Sequence, residues 1–154
     1  KVYVAGYDPT AAPWWRIDGY GKYLKKQIAR LGISEHIEFT GTLNEEDMCN
    51  RYLKSNIFVC CSAIENSPNS LGEAQLLGMP YVASFVGGVP EITDMNSGAL
   101  YRFEETEMLA KKICDIFALG SSYKPAPYDT SMYDGTANTQ SLLETYRQIC
   151  LNQQ

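Results

Sequence analysis

The 154 residues are the size of one domain built around one core. Hydrophobic residues make up 45% and charged residues 20%, a globular balance that excludes disorder over most of the length. A net charge of −5, with 13 scattered Lys and Arg, excludes a basic nucleic-acid-binding surface and gives no electrostatic drive toward anionic lipid.

In chain order, Val2-Tyr3-Val4-Ala5-Gly6 is an apolar run closed by glycine and reads as a buried strand. Residues 7–15, with Pro9, Pro13 and the Trp14-Trp15 pair, read as a loop. From Tyr20 to Leu31 the residues Tyr20, Tyr23, Leu24, Ile28 and Leu31 share one helical stripe, and Gly32 stops the helix. The alternating run from His36 to Gly41 predicts a second strand. Asn44 then caps a helix with Glu45, Glu46 and Asp47 in its first turn and Met48, Tyr52 and Leu53 facing inward.

A third strand is predicted over 56–61, a short helix over 69–78 stopped by Gly78, a fourth strand over 81–84 and a fifth over 98–103. A helix over 105–119 carries Met108, Leu109, Ile113, Ile116 and Phe117 on one side. Residues 121–135, rich in Pro, Tyr and Asp, read as an extended connection. A last helix over 141–151 spaces Leu142, Leu143, Tyr146, Ile149 and Cys150 for packing.

Repeated strand–helix alternation requires crossover connections. The expected class is therefore α/β: a doubly wound, mainly parallel Rossmann-like sheet flanked by helices. Residues 1–120 are expected to form that body, and 121–154 the connection and C-terminal helix of the same domain. In such sheets ligands bind outside the carboxyl ends of the strands, which directs attention to the loops after Gly6, Gly41, Cys61 and Ser84.

Five cysteines without a C-x-x-C pair point to a reduced, cytoplasmic setting, with the cysteines as small core residues. His36, the single histidine, has no partners spaced for a metal site, so no metal or cofactor is expected. Gly19-Tyr20-Gly21 neither follows a strand nor carries a third glycine, which argues against a dinucleotide fingerprint. The Trp14-Trp15 pair reads as loop packing, with a stacking platform for a sugar or base as the alternative, His36 as a structural residue, and Gly87-Gly88 as a tight turn after the fourth strand. There is no apolar run of membrane-spanning length and no leader pattern. The strand pattern begins almost at Lys1, so the expectation is a piece of a longer protein.

The most informative loop is Ser62-Ala63-Ile64-Glu65-Asn66-Ser67-Pro68, leading into Asn69-Ser70-Leu71-Gly72-Glu73. Pro68 keeps the residue before it extended, and Asn69 or Ser70 is placed to cap the helix. Free N–H groups at the helix start form a site for phosphate or diphosphate. Ser70 and Gly72 are small enough to let a ligand approach the backbone. Glu73 lies one turn into the helix and Glu65 in the loop before it, so the two acids would flank one anion and accept hydrogen bonds from sugar hydroxyls on either side. The competing structural role is a capping box, Ser70-x-x-Glu73, in which Glu73 bonds the Ser70 backbone.

Glu65 to Pro80, followed by Gly87-Gly88-Val89-Pro90-Glu91-Ile92, resembles the nucleotide-binding region of retaining glycosyltransferases of the two-Rossmann-domain (GT-B) type. More narrowly it resembles family 4 (group 1), whose members carry two glutamates separated by seven residues, the spacing of Glu65 and Glu73. The likeness covers nearly the whole chain as the C-terminal, nucleotide-sugar-binding half of that architecture. It implies that Glu65 contacts the transferred sugar and that Glu73 binds the ribose hydroxyls. The backbone around Asn69, Ser70, Leu71 and Gly72 would hold the diphosphate, Thr42 and Leu43 would touch the base, and Gly6 would leave room for the nucleotide.

The implied donor is a UDP-, GDP- or ADP-linked sugar, transferred with retention to an acceptor hydroxyl in polysaccharide or glycolipid synthesis. Relatives also carry an Arg and a Lys clamp ahead of the first strand. Lys22, Lys25 and Lys26 follow that strand and do not match it. The clamp and the N-terminal acceptor-binding domain are therefore expected outside this chain, which alone would bind nucleotide weakly and transfer nothing. Peripheral membrane association stays open for the full-length enzyme. Two other readings share the fold: a nucleotide-sugar epimerase and a non-catalytic nucleotide-binding module.

Overall fold

A computed structural model of the chain describes residues 1–13, 15–93, 97–123 and 134–151. Trp14 of the tryptophan pair and the 124–133 part of the extended connection lie outside the described residues. The chain forms two compact units, Lys1–Arg51 and Tyr52–Gln154.

In the first unit, β1 (Val2–Ala5) pairs in parallel with β2 (Ile37–Gly41), with Val2 opposite Ile37 and an irregularity after Val4. The crossover is α1 (Gly19–Leu31). The Asp18 side chain caps its start by accepting from the Gly21 N–H at 2.6 Å, and Gly32 ends it in the left-handed conformation. Leu24 and Ile28 are half-buried, while Tyr20, Tyr23 and Leu31 of the same stripe are exposed. The Gly6 N–H donates to the Gly41 carbonyl at 2.9 Å, which ties the carboxyl ends of β1 and β2 together. His36 falls in a short 3-10 turn before β2 instead of starting the strand.

Helix α2 (Glu45–Leu53) has Asn44 as its cap: the Asp47 N–H donates to the Asn44 side chain at 2.8 Å. Of the residues expected inside, Tyr52 is 6% exposed and Met48 half-buried, but Leu53 is 67% exposed. A helix whose buried stripe runs from Met48 to Tyr52 turns the next position, Leu53, about 100° away.

The second unit holds a parallel sheet in the order β3 (Phe58–Cys60), β4 (Tyr81–Ser84), β5 (Gly98–Tyr101). All four residues of β4, the central strand, are buried, as a parallel strand covered on both faces requires. Helix α3 (Asn69–Leu76) makes the β3-to-β4 crossover. Its Leu71 joins Cys60, Tyr81, Ala83 and Val89 in the core, with Phe58, Val86, Ile92 and Leu100 packed around them. Among the described residues, the β4-to-β5 connection contains a 3-10 turn, Val89–Glu91, and no α-helix.

Helix α4 (Thr106–Leu119) follows β5 and half-buries Leu109, Ile113 and Ile116, leaving Met108 and Phe117 exposed. Helix α5 (Gly135–Leu151) starts six residues before the position expected from its apolar spacing, because Asp134 caps it: the Thr136 and Ala137 N–H groups donate to its carboxylate at 2.8 and 3.2 Å. Leu142, Leu143, Tyr146, Ile149 and Cys150, spaced for packing, are exposed. All five cysteines are free, and Cys60 alone is buried, which corrects the expectation that they are core residues. Among the described residues, no helix is long and apolar enough to cross a membrane.

Gly21 tests the first unit's packing. A Cβ there would lie 2.1 Å from the Pro9 carbonyl oxygen. Alanine gains about 1 kcal/mol of helix propensity, but overpacking against backbone costs about 1–3 kcal/mol. Gly21→Ala is therefore expected to destabilise by about 1 kcal/mol, read as a lower urea midpoint at unchanged slope.

Candidate functional site

The carboxyl end of β3 leads into the loop that carries Glu65. Its half-buried side chain folds back on the loop: Oε1 accepts from the Asn66 N–H at 3.1 Å, and the Ser62 hydroxyl lies 3.5 Å from Oε2. Ser62 is fixed in turn, because the fully buried Ser84 at the end of β4 donates its hydroxyl to the Ser62 carbonyl at 2.7 Å.

The turn after β4 runs directly against this loop. Gly87 has φ +51°, and a Cβ on it would sit 1.8 Å from the Glu65 carbonyl oxygen. A Cβ on Gly88 would sit 2.4 Å from the Asn66 carbonyl oxygen. The two glycines, expected to permit a tight turn, thus also let two loops meet backbone to backbone.

Helix α3 begins at Asn69 with Pro68, in extended conformation, at the N-cap position and no side-chain cap. Neither Asn69 nor Ser70 caps it, because both already lie inside the first turn. The Leu71 and Gly72 N–H groups donate to the Pro68 carbonyl at 3.1 and 3.3 Å. Among the described residues no acceptor takes the Asn69 and Ser70 N–H groups, so these two are the open donors at the helix start. Leu71 and Gly72 are buried and anchor the helix, and Asn69 is exposed.

The capping box does not form. Glu73 Oε2 instead accepts from the Tyr52 hydroxyl at 3.0 Å, and that hydroxyl also lies 3.1 Å from the Ser70 carbonyl oxygen. The Tyr52 ring meets Phe58 edge-on, with centroids 5.8 Å apart. Burial first, and then the hydrogen bond and charge of Glu73, push the Tyr52 pKa well above its ordinary value, so Tyr52 remains a neutral donor. Sequence reasoning placed Tyr52 in the core and missed its polar end. The available signal was that a buried tyrosine hydroxyl needs a partner.

Gly6, Thr42 and Leu43 belong to the first unit, at the carboxyl ends of β1 and β2. Gly6 has φ +111°, Thr42 is exposed and Leu43 half-buried. In the second unit an open groove of about 550 Å³, lined by Phe85, Val86, Arg102, Phe103 and Glu104, lies where β4 and β5 end. The sequence reading had not singled it out.

A family model described as glycosyl transferases group 1 matches residues 2–127. The chain belongs to this family. As a group 1 glycosyltransferase domain it is 31% identical, over 75% of its length, to a D-inositol 3-phosphate glycosyltransferase of Mycolicibacterium gilvum. Among solved structures it superposes on sucrose-phosphate synthase from Thermosynechococcus elongatus with a TM-score of 0.71 and 20% identity, over 97% of this chain and 38% of that one. It also matches Anabaena Alr3699/HepE in complex with UDP and glucose, with a TM-score of 0.59 and 25% identity, over 94% of this chain and 39% of that one. The α/β class, with parallel strands flanked by helices, is that of these GT-B neighbours. The match spans only 26% of the length of the M. gilvum protein.

In this group 1 glycosyltransferase domain, Gly87 tests the contact between the two loops. Ala at a left-handed position costs about 1–2 kcal/mol before any clash. Gly87→Ala is expected to destabilise by about 2 kcal/mol and to shift the Asn66 amide resonance. A variant of wild-type stability with an unmoved Asn66 signal contradicts the contact.

Proposed function

We propose that this chain is the C-terminal, donor-binding half of a retaining family 4 glycosyltransferase. The intact enzyme moves a hexose from a nucleotide diphosphate sugar to an acceptor hydroxyl, in polysaccharide or glycolipid synthesis in the cytoplasm. Residues 1–120 form the nucleotide-sugar-binding body and 121–154 its connection and closing helix. One observation carries the reading: helix α3 starts at Pro68 without a side-chain cap, and among the described residues no acceptor takes the Asn69 and Ser70 N–H groups.

The chemistry follows from that arrangement. As the bond from the anomeric carbon to the diphosphate breaks, negative charge grows on the leaving group. N–H groups aimed at the diphosphate from Asn69 and Ser70, with the backbone at Leu71 and Gly72 close by, stabilise that charge. Glu65 orients the transferred sugar, and Glu73 accepts from the ribose hydroxyls. Gly6 gives the nucleotide room, while Thr42 and Leu43 contact the base. Retention here needs no second carboxylate as nucleophile, unlike a retaining glycosidase. The HepE complex with UDP and glucose favours a UDP-linked donor among the three nucleotides considered. The Arg and Lys clamp belongs to a segment ahead of β1 and the acceptor site to an N-terminal domain, and peripheral membrane association stays open for the full-length enzyme.

Calorimetric titration of the chain with UDP, GDP and ADP tests the assignment. Glu73→Ala is expected to weaken the best-bound nucleotide about tenfold, the loss of one or two hydrogen bonds to a charged acceptor. Glu65→Ala is expected to leave UDP affinity unchanged while erasing any preference for UDP-glucose over UDP. Unchanged affinity in Glu73→Ala rejects the ribose role.

The chain alone is expected to show no transfer, because donor and acceptor must be held by two halves at once. Release of UDP coupled to glycoside formation by the 154-residue chain contradicts that expectation.

A further inference from the structure

Tyr52 reaches the donor loop from α2, an element that the motif itself does not include. Its single hydroxyl proton faces two acceptors, Glu73 Oε2 at 3.0 Å and the Ser70 carbonyl at 3.1 Å. The carboxylate is the stronger acceptor, since a hydrogen bond to an ion is roughly twice as strong as a neutral one. The hydroxyl cannot swing away, because the residue is buried and its ring is held edge-on by Phe58 at the start of β3.

We propose that Tyr52 is a positioning residue that aims Glu73 at the ribose diol of the donor nucleotide. By holding Oε2 it leaves Oε1 as the acceptor for the diol. The inference rests on the ribose role assigned to Glu73 above.

Two observations separate positioning from simple satisfaction of a buried hydroxyl. The Ser70 carbonyl lies within reach of that one proton, so satisfying the hydroxyl does not by itself require Glu73. Glu73 is otherwise exposed, and the hydrogen bond from Tyr52 is what fixes its side chain among the described residues. Fixing a glutamate side chain costs rotamer entropy. Tyr52 removes part of that cost before the ligand arrives.

The test is titration of the full 154-residue chain with UDP, GDP and ADP and with the 2′,3′-dideoxy form of each. Wild type, Tyr52→Phe and Glu73→Ala are compared, and the readout is the ratio of ribo to dideoxy affinity for the best-bound base. Phenylalanine keeps the ring and its contact with Phe58, and unchanged dideoxy affinity verifies that the variant is folded. Glu73→Ala is expected to bring the ratio close to one. Tyr52→Phe is expected to lower it about fivefold, as loss of one hydrogen bond implies, with dideoxy affinity unmoved.

A Tyr52→Phe ratio equal to wild type, whether or not both affinities fall together, overturns the positioning role and leaves Glu73 in place. A Glu73→Ala ratio equal to wild type, or no binding of any of the three diphosphates to wild type, overturns the ribose role and this inference with it.

Discussion

The burial of one face of α3 is the constraint on which the site depends. An eight-residue helix has no stability of its own in water. It persists here because Leu71 and Ala74 are completely buried, and Leu71 packs with the Cys60, Tyr81, Ala83 and Val89 core. Truncating such a leucine costs about 2–5 kcal/mol, more than any hydrogen bond at the site supplies. Core packing therefore sets where the helix begins, and the beginning sets which amides stay open. Pro68, buried and extended, then delivers the loop to that point.

Around this anchor two contacts organise the carboxylates. Glu65 is held through backbone proximity: Gly87 and Gly88 let the turn after β4 lie on the Glu65-Asn66 backbone, and Ser84 ties Ser62 from below. Glu73 is held through a side chain, Tyr52. The difference in mechanism matters. A backbone contact tolerates no change at the glycines but any change at the acid. The tyrosine contact responds to removal of a single oxygen.

Much of the frame was legible because it rests on local chemistry. Gly32 ending α1, Asn44 capping α2 and the four residues of β4 follow from left-handed glycine, side-chain capping and apolar runs. The early start of α5 was missed because apolar spacing was weighed above the cap at Asp134. Leu53 was misplaced because a hydrophobic residue next to a buried one was assigned to the same face. At the site, the helix start after Pro68 was readable, but its cap was not: it falls on Pro68 itself and not on Asn69 or Ser70. The fate of Glu73 was not readable either, since its partner lies 21 residues away on another helix and no local pattern reports a long-range hydrogen bond. The same holds for Gly87, whose φ was foreseeable from a turn but whose neighbour was not.

The electrostatics of the second unit's site explain why it needs more than it contains. Neither 61–73 nor 84–88 includes a Lys or Arg, and both glutamates add negative charge. In the proposed donor site the diphosphate would be met by neutral backbone donors at Asn69 and Ser70, each worth about 0.5–1.5 kcal/mol net and about twice that toward an anion. Association alone costs at least about 4 kcal/mol. Two such amides would offset the cost of binding without leaving a large surplus, and in the proposed site a ribose acceptor at Glu73 would be the decisive added contact. A donor site so balanced would hold a nucleotide sugar weakly on its own and would gain most from a cation brought to the diphosphate, which is the electrostatic reason the proposed donor half would work together with a clamp.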